Sequence, residues 1–124
     1  MEPVPFDENI NNIYSIMTDS PKRLEQEIDT RVEQAKDLPR RNNQAFMIFE
    51  SDSEKSGEIK NKIEELKEKY PTAHFEFITP NKEDKEKLTD TDKTEDYMKN
   101  IVKVKMEKVG LNKDDVINAA AKYE

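Results

Sequence analysis

Two short apolar runs that flank one amphipathic helical pattern constrain the fold of this chain most strongly. The runs, residues 45–49 (AFMIF) and 73–79 (AHFEFIT), have the length and apolar character of β strands. Between them, four apolar residues recur at the spacing of one helix face: Ile59, Ile63, Leu66 and Tyr70. A strand, a helix and a second strand in this order predict a parallel β-α-β core, so the expected fold class is α/β or α+β.

The two predicted strands differ in their pattern. The first is apolar without interruption, which is typical of a strand buried on both faces. In the second, Phe75 and Phe77 alternate with His74 and Glu76, which indicates one partly wet face. Two strands alone make a narrow sheet, whose edges need cover from helices or from a second copy of the chain. Self-association into a homo-oligomer is therefore one expectation.

Two N-terminal helices are predicted before this core. The first would start after Asp7, a good N-cap, and would carry one apolar face: Ile10, Ile13, Tyr14 and Met17. The second starts at Ser20-Pro21, a favoured helix start, and ends at Leu38-Pro39. Its apolar face repeats at helical spacing: Leu24, Ile28, Val32 and Ala35.

The C-terminal third predicts a helical hairpin behind a polar stretch. Residues 81–96 are a polar linker, at the end of which Asp92 caps a helix that ends at Gly110 in the C′ position. A second helix would begin at Asn112. The predicted organisation is thus 1–80 (helices plus β-α-β core), 81–96 (polar linker) and 97–124 (C-terminal helical hairpin), packed as one compact domain.

The composition excludes several kinds of chemistry. The chain has no cysteine, which excludes disulfides, thiolate catalysis and zinc-thiolate sites. With two glycines in all, neither a phosphate-binding loop nor a dinucleotide fingerprint can be written. The sole histidine, His74, has no nucleophile or orienting carboxylate that spacing assigns to it. No metal and no cofactor is predicted.

Location and partner class are predicted from charge and hydropathy. No apolar run approaches the roughly 18 residues that a membrane helix needs, and residues 1–5 lack the basic and apolar regions of a signal peptide. No membrane association and a cytoplasmic location are therefore expected. The net charge of −7 differs from the basic footprint of an ordinary nucleic-acid binder.

The carboxyl edge of the predicted β-α-β core is where an α/β sheet tends to bind ligands. Polar side chains gather at this edge: Glu50, Ser51, Asp52, Ser53, Thr79 and Asn81. Ser51 with Glu54 fits a capping box, so helix capping is the favoured interpretation. Weak cation or small-molecule binding near Glu50 and Asp52, or an enzyme that uses both with His74, is the alternative.

The segment Val109-Gly110-Leu111, followed by Val116 and Ala119, resembles a helix-turn-helix, with glycine in the turn and apolar residues after it. Asp114 and Asp115 would stand at the start of its recognition helix, where they would repel phosphate. Four lysines on the preceding helix would supply the phosphate contacts: Lys99, Lys103, Lys105 and Lys108.

The function expected from these patterns is that of a small acidic, non-enzymatic accessory or regulatory protein. It would bind a protein partner through its C-terminal helices, on a side formed by Tyr97, Ile101 and Tyr123. The alternative is a nucleic-acid-binding protein that uses the C-terminal helix-turn-helix. A third hypothesis, that the acidic surface mimics nucleic acid, rests on the net charge of −7 alone.

Overall fold

The computed structural model describes residues 5–7, 10, 12–36, 44–83, 91–111 and 117–122, in which strands and helices alternate along the chain. The strands are β1 (Asn12–Met17), β2 (Gln44–Phe49), β3 (His74–Ile78) and β4 (Ile117–Lys122). The helices are α1 (Pro21–Ala35), α2 (Ser56–Lys69) and α3 (Thr91–Lys108), with a 3₁₀ turn at Ser53–Lys55 before α2. The expected mixed α/β class is confirmed.

The strands form one parallel sheet in the order β3-β2-β1-β4. Central β1 pairs with β2 on one side and with β4 on the other, so Tyr14 lies between Phe46 and Ala119. The connections through α1 and α2 each lead to the neighbouring strand in the same direction. The connection that contains α3 leads back past β2 and β1 to the opposite edge, so the direction of winding reverses between β1 and β4.

The helices cover both faces of the sheet. One buried cluster joins α1 and α2 to the sheet: Tyr14, Ile16, Leu24, Ile28, Phe46, Ile48, Ile59, Ile63, Leu66 and Phe75. The other joins α3 to the opposite face: Ile10, Ile13, Met17, Ala45, Met47, Phe49, Met98, Val102 and Met106. Because both faces are covered, every residue of β1 and β2 is buried. Each large apolar side chain buried in this way contributes about 1.5–3 kcal/mol.

Local signals define the helix ends. The hydroxyl of Ser20 accepts a hydrogen bond from the Arg23 amide at 3.3 Å, and Pro21 occupies the first turn of α1. Gly110 follows the end of helix α3 at the C′ position, and its φ of 75° lies in the left-handed region that glycine favours. The Leu111 amide then donates to the Met106 carbonyl at 2.9 Å, which is the Schellman pattern. The predicted role of Gly110 is confirmed.

The predicted β-α-β core is present. β2, α2 and β3 lie where the patterns of residues 45–49, 59–70 and 73–79 indicate, and β2 and β3 are parallel neighbours. The second predicted N-terminal helix is α1, which ends at Ala35; residues 37–40 lie outside the described residues.

The helix predicted from Asp7 to Met17 is wrong, because residues 12–17 form strand β1. Ile13 and Met17 face α3, whereas Tyr14 and Ile16 face α1 and α2. A strand that is apolar on both faces can contain the i, i+3, i+4 spacing of a helix by coincidence. The spacing of the four apolar residues between Ile10 and Met17 therefore did not distinguish an amphipathic helix from a strand buried on both faces.

The second helix of the predicted C-terminal hairpin is also wrong, because residues 117–122 form strand β4. Its alanines have high helix propensity, but β4 pairs with the edge of β1 that β2 leaves open. Long-range pairing therefore overrides local propensity. Residues 117–122 therefore do not form the recognition helix of the predicted helix-turn-helix. The following residues of that prediction lie outside the described residues: Asn112, Asp114, Asp115, Val116 and Tyr123.

The predicted linker and tail are not separated from the core where the structure describes them. Thr91 to Asp96 belong to the first turns of α3, whose inner side packs against the sheet. Residues 84–90 of the linker lie outside the described residues. Strand β4 continues the same sheet.

Candidate functional site

The polar residues at the carboxyl end of β2 hold the β2–α2 connection. The Ser56 hydroxyl donates to the Glu50 carboxylate at 2.5 Å, and the Asp52 carboxylate accepts from the Glu54 amide at 2.9 Å. Capping at this edge is confirmed, but the predicted capping box of Ser51 with Glu54 is wrong, because the capping side chain is Asp52. These carboxylates stabilise the start of the helix segment.

The carboxyl end of β1 lies where winding reverses, the usual ligand position of an α/β sheet. Here Thr18 is buried, and its hydroxyl accepts a hydrogen bond from the Ser20 amide at 3.1 Å. Ser20 in turn caps α1. Sequence reasoning placed the start of this helix at Ser20-Pro21 and missed Thr18, because no motif surrounds that residue. The hydroxyls of Thr18 and Ser20 thus accept hydrogen bonds from backbone amides of the β1–α1 connection and of the first turn of α1.

A charged cluster lies on the α3 face of β3. The His74 Nε2 atom is 3.2 Å from a Glu76 carboxylate oxygen, and the Lys105 ammonium donates to the other oxygen. Hydrogen bonding from His74, and then from Lys105, outweighs the effect of burial and lowers the pKa of Glu76 to about 2. The cluster fastens α3 to the outer strand.

His74 lies far from Glu50 and Asp52, the acidic residues with which it would form the alternative enzyme site. His74 pairs in register with Ala45 at the start of β2, whereas Glu50 follows the end of that strand. Five residues of strand correspond to roughly 16 Å. Within the described residues, no group of three histidine, aspartate or glutamate side chains converges as metal ligands would.

Two of the three residues predicted to bind a partner lie in the interface between α3 and the sheet. Tyr97 and Ile101 are half-buried and pack against the α3-face cluster. The Tyr97 ring meets the Phe49 ring edge-on at 6.0 Å. Tyr123 lies outside the described residues. Tyr97 and Ile101 therefore anchor α3 on the sheet.

The four lysines of α3 divide into two groups. Lys99, Lys103 and Lys108 are exposed, with Lys99 and Lys108 half a turn apart around the helix. Lys105 is half-buried, because it turns towards Glu76. Three of the four predicted phosphate contacts thus remain available on one helix.

The outer edge of β3 is open within the described part of the sheet, since β3 is the terminal strand in the order. The Ile78 carbonyl accepts from the Glu50 amide at 2.9 Å, so the backbone groups of Ile78 face β2. Backbone groups alternate sides along a strand. The amides and carbonyls of Phe75 and Phe77 therefore point outward, where another strand could pair with them.

An open groove of about 360 Å³ adjoins this edge on the side of α2. We call it the α2–β3 groove, and its lining residues are Lys60, Ile63, Glu64, Lys67, Phe77 and Thr79. Ile63 is buried at its base, and Phe77 is half-buried. The Lys60 ammonium lies 5.6 Å from the centre of the Phe77 ring, and Lys67 pairs with Glu64 at 3.1 Å.

The sequence contained one signal for this surface. The alternation of Phe75 and Phe77 with polar residues predicted a partly wet strand, and that strand is the sheet edge. The groove itself depends on the angle at which α2 crosses β3, and no sequence pattern encodes that angle.

None of the helices in the described residues is long and apolar enough to cross a membrane. No protein-family model, no curated protein and no solved structure matches this chain.

Proposed function

We propose that this chain is a non-enzymatic accessory protein that binds a protein partner along the outer edge of β3. The observation that carries the proposal is the row of outward backbone groups at Phe75 and Phe77, beside the α2–β3 groove. Addition of a strand to such an edge is a common mode of recognition, in which backbone hydrogen bonds give affinity and neighbouring pockets give specificity.

The side chains around the outer edge of β3 favour the binding of another strand and do not block it. Natural edge strands are often blunted by charges along the edge. The charged residue of β3, Glu76, instead turns to the α3 face and pairs there with His74 and Lys105. The five residues of β3 make the edge short, so the groove would supply part of the binding energy.

Binding without catalysis is supported by the distribution of reactive groups. Glu50 accepts from the Ser56 hydroxyl, Asp52 caps the 3₁₀ turn, and His74 lies at the other end of the strands. We further propose a cytoplasmic site of action, in keeping with the absence of cysteine.

Affinity purification from the native host, followed by crosslinking, tests the proposal with one matched pair of variants. Phe77→Pro removes the outward amide and the ring, whereas Phe77→Ala removes the ring alone. We expect one abundant captured protein to persist with Phe77→Ala and to disappear with Phe77→Pro. Circular dichroism must show that both variants are folded. Equal capture by a folded Phe77→Pro variant would refute the proposal.

A second candidate function is nucleic-acid binding by the exposed lysines of α3. The observation that favours it is the exposure of Lys99, Lys103 and Lys108 on one helix. Three phosphate contacts predict that log Kd changes with log salt concentration with a slope of about 3. Lys103→Glu should reduce that slope by about 1 or more. Fluorescence anisotropy with duplex DNA and RNA measures both, and absent binding at low salt excludes this candidate.

A further inference from the structure

We infer that the occupant of the β3 edge is an extended, acidic-apolar segment of the partner, paired with β3 as an additional strand. This inference rests on the proposed function and specifies the chemistry of the partner. It follows from the position of the α2–β3 groove relative to the edge, and from the charges at the rim of the groove.

The geometry sets the side-chain pattern of the segment. An added strand would lie about 4.8 Å beyond β3 and would direct every second side chain to the face on which Phe77 lies. Those side chains would enter the groove, which has Ile63 at its base and Phe77 along one wall. An aliphatic or aromatic residue at these alternate positions removes that apolar surface from water.

The rim charges select an acidic neighbour. Lys67 is paired with Glu64, but in the described part of the chain no carboxylate lies within ion-pairing distance of Lys60. The Lys60 ammonium instead lies near the Phe77 ring. A carboxylate on the segment, two residues from the apolar side chain on the same face, would complete the pairing of Lys60.

A second copy of this chain is a poorer occupant. Pairing β3 with β3 of another copy would bring two grooves together, each with Lys60 and Lys67 at its rim. Each copy also carries a net charge of −7, which opposes association at low salt. The partner strand would present Phe75 and Phe77 on the groove face, with no acidic side chain for Lys60.

A phage-displayed library of random ten-residue peptides, selected against the full chain, tests the inference. We expect enrichment of peptides in which apolar residues alternate and an acidic residue shares their face. Lys60→Glu should weaken these peptides about three- to tenfold. Lys103→Glu, which makes the same charge change on the opposite helix layer, should leave their affinity unchanged.

Hydrogen exchange of the chain with and without an enriched peptide supplies the structural measurement. The outward amides of Phe75 and Phe77 should gain protection, whereas the Glu76 and Ile78 amides, which face β2, should change little. No enrichment, enrichment of basic peptides, or equal binding to Phe77→Pro overturns the inference. If Phe77→Pro still abolishes capture from the host in that case, partner binding stands and only the extended segment is refuted. A dimer in light scattering that Phe77→Pro dissociates would assign the edge to a second copy.

Discussion

The two faces of the sheet are packed by different means. On the α1/α2 face, two helices cover the sheet, and three aromatic rings stack in a row. The Phe46 ring lies 5.5 Å from that of Tyr14 and 5.4 Å from that of Phe75. The two helices are also tied to each other, since Asp29 of α1 accepts hydrogen bonds from Tyr70 and Lys69 beside the end of α2.

On the α3 face, α3 is the helix that covers the sheet within the described residues, and four of the nine residues of its buried cluster are methionines. Four of the five methionines of the chain lie there: Met17, Met47, Met98 and Met106. Methionine side chains adapt to irregular gaps and specify one packing arrangement less strictly than branched or aromatic residues. The difference predicts a stiff face beside the groove and an adaptable face under α3. A stiff groove loses less conformational entropy when it binds a segment.

The largest expected effect comes from cavities made on the two faces. Phe46 and Met98 are both buried. Phe46→Ala should lower the free energy of unfolding by about 4 kcal/mol, because a stacked ring leaves a gap that two helices and two rings cannot fill. Met98→Ala should cost about 2 kcal/mol, since neighbouring methionines can move into the space. Urea unfolding measures both values, and an equal or reversed order would contradict the comparison.

The next effect concerns the ion pair that fastens α3 to β3. The pKa of Glu76 is about 2 in the folded chain, against an ordinary value of 4.5. Between these values the unfolded chain binds a proton that the folded chain does not bind. The stabilisation is therefore complete above pH 4.5 and is lost as the pH falls to about 2. Because the carboxylate is half-buried and partly screened, we expect about 2 kcal/mol or less.

Glu76→Gln separates this contribution from that of the other carboxylates. At pH 7 the variant should be less stable than the parent chain, and the difference should shrink towards zero as the pH approaches 2. Urea midpoints at several pH values measure this difference. A difference that stays constant with pH would show that Glu76 stabilises α3 by contacts other than its charge. On the opposite face, burial raises the pKa of Asp29, but hydrogen bonds from Tyr70 and Lys69 outweigh it and lower the value.

The two halves of the sheet also differ in how much of them the sequence predicts. The β2–α2–β3 unit was predictable because each of its parts carries its own local pattern, such as the uninterrupted run at 45–49. β1 and β4 were not predictable in this way. Ile13 and Met17 have helical spacing, and the alanines of β4 have high helix propensity, yet both segments are strands because they pair with each other across a long stretch of sequence.

The candidate site was predictable only in outline. The capping role of the residues around Asp52 followed from their order in the sequence. The packing of Tyr97 and Ile101 did not follow in the same way, because their apolar pattern suits a partner's groove and the sheet equally, and in the structure they pack against the sheet. Their predicted role in partner binding stays a prediction. The open edge of β3 depends on the order of strands, and that order requires β1 and β4 to be placed correctly.

The smallest expected effect uses the two glycines of the chain, one on each helix layer. Gly57 lies in the first turns of α2, and an added Cβ would meet no atom within 4 Å. Gly57→Ala should therefore raise the free energy of unfolding by about 0.5 kcal/mol, because alanine loses less entropy in a helix. Gly110 follows the end of α3 with a φ of 75°, a conformation that alanine adopts at a cost. Gly110→Ala should therefore lower the free energy of unfolding by about 1 kcal/mol, although an added Cβ would again meet no atom within 4 Å. Thermal and urea unfolding of the two variants measure the opposite signs. If both variants were stabilised, the chain beyond Lys108 would tolerate a right-handed backbone, and the Schellman end of α3 would contribute nothing to the α3 face.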